Sequence, residues 1–105
     1  MDKIENATIL KKANVYFDGK VTSRTILLND GTKKTLGIIL PGEYEFGTND
    51  KEIMEVLAGE LKALLPGENA WTPFVAGHSF EIPANSRFKV RADQVVDYCC
   101  SYIKE

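Results

Sequence analysis

Histidine is almost missing from this chain: His78 is the single one among 105 residues. It directly follows Gly77, where a loop or strand start suits it better than a ligand or base role. A transition-metal site needs His or carboxylate at most of its ligand positions, and one histidine supplies little of that. Cysteine is equally scarce, with Cys99 and Cys100 side by side. In a strand adjacent side chains point to opposite faces, so a disulfide between them is not expected, and a reducing cytoplasm suits the chain best. No basic run exceeds two residues (Lys11-Lys12, Lys33-Lys34), and 13 basic against 15 acidic residues leave a net charge of −2. Nucleic acid and membrane surfaces are therefore excluded as partners. No apolar run nears the ~20 residues of a membrane helix. The start, Met1-Asp2-Lys3-Ile4-Glu5-Asn6, lacks the apolar core of a signal peptide. A helical pattern of ten residues is also lacking.

What is present is β-structure. Hydrophobic residues make up 44%, enough for one core in one domain of this length. Short runs rich in β-branched and aromatic residues alternate with turn signals: Asp18-Gly19, Asn29-Asp30-Gly31, Pro41-Gly42 and Pro66-Gly67. Strands are expected at 15–17, 21–28, 35–40, 44–48, 53–58, 61–65, 71–75, 79–82, 87–90 and 95–103. Residues 1–12 are expected as a frayed or weakly helical lead-in. Turns every ~8–12 residues argue for a sandwich or barrel, and a double-sheet roll would also cover the strand edges.

The chain is organised around Gly42–Gly59. Five residues separate Gly42 from Thr48, three separate Thr48 from Glu52, and six separate Glu52 from Gly59. This frame is similar to the first motif of the cupins, with Phe46 and Thr48 where the metal-binding histidines stand. Gly77, five residues, Pro83, and then Asn85, Phe88 and Ala92 are similar to the second cupin motif. Asn85 occupies a glycine slot and tolerates a left-handed backbone; Phe88 replaces the third histidine. The implied fold is all-β, a cupin-type double-stranded β-helix or jelly roll. Its expected boundaries are an N-terminal extension over residues 1–12 and a single cupin domain over residues 13–105.

A fuller pattern runs from about Asn14 to Ile103. It comprises Phe17-x-Gly19-Lys20-Val21-x-Ser23, Gly42-Glu43-Tyr44-x-Phe46-x-Thr48, Glu52-x-Met54-x-Val56-x-x-Gly59 and Leu64-Leu65-Pro66. Trp71, Ala76-Gly77-x-x-Phe80-x-Ile82-Pro83-x-x-Ser86-x-Phe88 and Tyr98-x-Cys100-x-Tyr102 complete it. It resembles the pyrimidine/purine nucleoside phosphorylase family of small bacterial cupins. The resemblance implies a metal-free homodimer that cleaves nucleosides with inorganic phosphate to the free base and ribose 1-phosphate, with no further cofactor.

Site residues follow from the residues themselves. Alternation puts Tyr44, Phe46 and Thr48 on the face that the cupin frame turns inward, with Glu52, Met54 and Val56 and with Ser86, Phe88 and Val90. An aromatic pocket with few polar groups suits a small molecule, and stacking gives about 1–3 kcal/mol without choosing among bases. Tyr44, Phe46, Thr48, Met54, Ser86 and Phe88 are the candidate substrate-binding residues. Glu52, the one ionisable residue in a former ligand slot, is the candidate catalytic group: a carboxylate stabilises an oxocarbenium-like ribosyl centre. Phosphate needs hydroxyls or a cation, and Lys33, Thr48 and Ser86 are the candidates, with Ser23 and Arg24 weaker. The bland alternatives are barrel filling for Phe46 and Phe88 and a solvated turn for Glu52. For Trp71 they are core or dimer packing, and for Tyr98, Cys100 and Tyr102 packing first and a hydroxyl in the cup second. Besides the enzyme reading stand a non-catalytic small-molecule-binding cupin and a sugar-modifying cupin working by metal-free acid–base chemistry.

Overall fold

The computed structural model describes residues 3–104; Met1, Asp2 and Glu105, at the ends of the expected domain boundaries, lie outside them. Among the described residues eleven strands run in chain order: β1 (Ala7–Ile9), β2 (Asn14–Tyr16), β3 (Val21–Leu28), β4 (Lys33–Ile39), β5 (Gly42–Gly47), β6 (Lys51–Ala58), β7 (Glu60–Leu64), β8 (Thr72–Val75), β9 (Ser79–Ile82), β10 (Arg87–Ala92) and β11 (Val96–Ile103). The strands from β3 onward fall within two residues of the runs expected from alternation. The lead-in differs: instead of fraying or coiling, residues 7–9 pair antiparallel with β3, Thr8 opposite Leu27. Its apolar residues are too few for a helical face, and the free edge of β3 supplies backbone partners.

Two antiparallel sheets face each other. The larger is ordered β1-β3-β4-β11-β6-β9, with β2 also on β3; the smaller is ordered β5-β10-β7-β8. This is the all-β, double-stranded roll that the cupin spacing implies. Central strand β11 pairs with both β4 and β6, so its side chains face inward and outward in strict turn. Val96, Tyr98 and Cys100 join the buried core with Met54 and Val56 of β6, Phe88, Val90 and Ala92 of β10, and Val21 and Ile39 from β3 and β4. Burying each large apolar side chain contributes roughly 1.5–3 kcal/mol. Cys99 points the other way, and both thiols are free and buried.

The turns are built from the residues that signalled them. Asn85 adopts φ 56°, as its place in a glycine slot required. The Asp18-Gly19 turn departs from a two-residue hairpin. It is a short 3-10 turn over Phe17–Gly19, with φ of 52° at Phe17, 56° at Asp18 and 90° at Gly19. A bulky residue at positive φ is strained; the Phe17 ring, still partly exposed, touches Tyr44 and Phe46.

Candidate active site

The roll encloses a cavity of about 130 Å³ lined by Tyr16, Ser23, Ile39, Phe46, Gly47, Glu52, Met54, Phe88, Tyr98, Cys100 and Tyr102. Strand register assembles it. Phe46 on β5 stands opposite Phe88 on β10, and their rings lie 5.9 Å apart at 30°, forming an apolar floor. Glu52 and Met54 reach in from β6, where Tyr102 and Cys100 of β11 are their cross-strand partners. The mouth is aromatic. Tyr16 meets Phe46 edge-on with centroids 6.1 Å apart, and Phe17 meets Phe46 at 5.4 Å and Tyr44 at 5.0 Å.

Glu52 is the one charged side chain among these lining residues. Burial raises its carboxyl above the ordinary range, while a hydrogen bond from Cys100 and the charge of Lys33 pull it back and Asp50 pushes it up. The Cys100 Sγ donates to Glu52 Oε1 at 3.4 Å. Burial, followed by the facing Glu52 charge, drives the Cys100 thiol far upward, so it stays protonated and acts as a donor. The Tyr98 and Tyr102 hydroxyls are also pushed up, chiefly by burial. A second polar group lies on the β3 side of the cavity. Ser23 shares the cavity wall with Tyr98, and its Oγ accepts from Asn14 Nδ2 at 3.2 Å. Tyr102 is within 3.5 Å of the Thr35 hydroxyl.

Of the candidate site residues singled out from the sequence, the fold brings Phe46, Glu52, Met54 and Phe88 together in the cavity, with the weaker candidate Ser23. Tyr44, Thr48, Ser86 and Lys33 are placed elsewhere. The Tyr44 hydroxyl donates to the carbonyls of Leu40 and Pro41 at 2.8 and 3.1 Å, in the space a side chain at Gly42 would need. The Thr48 hydroxyl donates to Pro83 O at 2.7 Å and accepts from Ser86 N at 3.0 Å, clamping the turn between β9 and β10. Ser86 Oγ is spent on Ala84 O. These hydroxyls share the inward face, but nearby backbone captures them. Lys33 lies over the Tyr102 ring, Nζ 4.5 Å from its centroid. It lines a second depression with Asp30, Gly31, Thr32, Asp50, Tyr102, Ile103 and Lys104, and Tyr102 borders the cavity as well. Tyr16 was missed as a lining residue because its run reads as a short edge strand. Tyr98, Cys100 and Tyr102 carried the signal of strict alternation but ranked first as packing.

The lone His78 is exposed. Trp71 is half-buried under the Arg91 guanidinium, 5.0 Å from its ring centroid. Among the described residues no three His, Cys, Asp or Glu side chains converge as a metal centre would require.

This architecture, an antiparallel roll closed around an aromatic cavity with one carboxylate, defines a cupin-type protein. The fold recurs in the EutQ protein of Clostridium difficile, with a TM-score of 0.65 at 15% identity over 78% of this chain and 67% of that one. The sequence profile of the pyrimidine/purine nucleoside phosphorylase family matches residues 11–102, and the chain belongs to that family. A pyrimidine/purine nucleoside phosphorylase of Leptospira interrogans is 61% identical over 104 residues, covering 99% of this chain and 98% of that protein. A solved protein of unknown function from Acinetobacter sp. ADP1 superposes with a TM-score of 0.95 at 41% identity, over 98% of this chain and all of that one.

Proposed function

We propose that this protein is a nucleoside phosphorylase that works inside the cupin barrel without a metal ion, cleaving purine and pyrimidine nucleosides with inorganic phosphate. The C1′–N bond breaks, the bonding pair leaves with the base, and a phosphate oxygen bonds C1′ to give ribose 1-phosphate; the base takes a proton from solvent. The observation that carries the site assignment is Glu52, a single carboxylate among apolar, hydroxyl and thiol side chains in the cavity.

In this reading the base lies on the Phe46–Phe88 floor, where stacking tolerates purines and pyrimidines alike. Glu52 faces the ribosyl centre, whose positive charge is stabilised more strongly in a desolvated site than in water. The cavity of about 130 Å³ is smaller than the roughly 300 Å³ at which ligand pockets begin. A nucleoside therefore extends past Tyr16 and Tyr102 toward the neighbouring depression. Lys33 and Lys104 there favour the phosphate, while Asp30 and Asp50 oppose it. The free thiols suit a cytoplasmic protein. The outward apolar residues Leu36, Ile38 and Leu57, each more than a third exposed, suit a homodimer through the larger sheet, which sedimentation would test.

The deciding experiment is release of uracil from uridine and adenine from adenosine by EDTA-treated protein, with and without phosphate. Phosphate-dependent release that survives EDTA is expected. Binding of nucleoside without release would instead identify a non-catalytic binding module.

A further inference from the structure

We infer that Cys100 is the positioning residue of Glu52: its thiol donates to Oε1 and so leaves Oε2 to face the substrate. The inference deepens the phosphorylase reading and rests on it. The two side chains share the inward face of neighbouring strands, Tyr102 opposite Glu52 and Cys100 opposite Met54. The thiol therefore lies diagonally across from the carboxylate, one step deeper in the roll. Cys100 is 2% exposed, so its S–H has no water to serve and takes the Glu52 oxygen at 3.4 Å.

The groups facing Glu52 come from several elements. β11 presents Cys100, Tyr102 and Tyr98. β4 contributes the Lys33 charge, the segment before β6 contributes the Asp50 charge, and the β9 partner is the apolar Ile82. Tyr16, Phe46, Met54 and Phe88 complete the cavity wall. Within that set Cys100 is the group that hydrogen-bonds the carboxylate. A carboxylate that loses its donor in a desolvated site is easier to protonate. Cys100→Ala therefore moves the acidic limb of the pH profile to higher pH, because more of Glu52 is protonated at a given pH. A hydrogen bond to a charged group is worth about ten-fold or more in rate.

The test compares wild type, Cys100→Ala and Cys100→Ser. It uses the pH dependence of phosphate-driven uracil release from uridine, and the NMR titration of the Glu52 carboxyl carbon, identified by its loss in Glu52→Gln. Cys100→Ala is expected to lower kcat about ten-fold at neutral pH with KM little changed, and to shift both the acidic limb and the carboxyl titration upward. Cys100→Ser, which restores a donor, is expected to return both toward wild type. If Cys100→Ala leaves the carboxyl titration where wild type has it, or if Cys100→Ser shifts it as far as alanine does, the inference is overturned. Should Cys100→Ala fail to fold, Cys100→Val, which also removes the donor but fills the buried space, takes its place in the same comparison. Wild type that releases no uracil would refute the phosphorylase reading, while the carboxyl titration would still judge the thiol's hold on Glu52.

Discussion

The ring of Tyr98 lies against Gly37, its cross-strand partner between β11 and β4. A side-chain carbon at position 37 would come within 2.8 Å of Tyr98 Cε1 and Cζ and would collide with the backbone oxygen of Thr22. The missing side chain thus lets an aromatic wall of the cavity lie flat on the sheet. Gly37→Ala is expected to destabilise the fold by roughly 1–3 kcal/mol, the usual cost of overpacking. Because Tyr98 must shift, KM for nucleosides should also rise. Urea denaturation and steady-state kinetics on one preparation check both.

Glu52→Gln separates chemistry from binding. Loss of the carboxylate is expected to lower kcat by about 10²–10³-fold, the scale for removing one electrostatic stabiliser of a transition state, with a small change in nucleoside KM. The pH dependence of stability moves in the opposite sense. Burial holds the Glu52 carboxyl above its ordinary 4.5. The folded chain therefore keeps this proton where the unfolded chain has released it, and stability falls as pH rises through that window. Glu52→Gln should melt higher than wild type at neutral pH and lose that advantage below the unfolded value. Calorimetry at a series of pH values reads this directly.

The aromatic floor and mouth should set affinity without setting base preference. Phe46→Ala or Tyr16→Ala is expected to weaken nucleoside binding by about 1–3 kcal/mol, or about 5–150-fold in KM, to similar extents for uridine and adenosine. A loss confined to one base class would mean that these rings select rather than merely stack.

Thr48 and Lys33 should part company. Thr48→Val leaves Pro83 O and Ser86 N without their present partner. It is expected to cost about 1–3 kcal/mol of stability while the phosphate KM stays near wild type. Lys33→Ala removes a surface cation beside Tyr102 and is expected to raise the phosphate KM about ten-fold or more, with stability nearly unchanged. Phosphate titrations and thermal melts on both variants separate the roles.

The strands from β2 onward were legible in the sequence, because a period of two residues with Gly, Pro and Asn at the breaks is a local property of the chain; β1 was not, because its pairing depends on the distant edge of β3. Alternation gave each of Phe46, Glu52, Met54 and Phe88 its side of its own strand, and the resemblance to the cupin frame turned those sides inward. The tertiary structure alone decided which inward groups meet the cavity and which meet backbone. Tyr44 and Thr48 have the same parity as Phe46, yet their hydroxyls lie beside the carbonyls of Leu40 and Pro83 and are consumed there. Cys100 and Glu52 lie 48 positions apart, and Tyr16 reaches Phe46 across another 30. Such meetings depend on the register and twist of strands far apart in the chain, which no local pattern encodes.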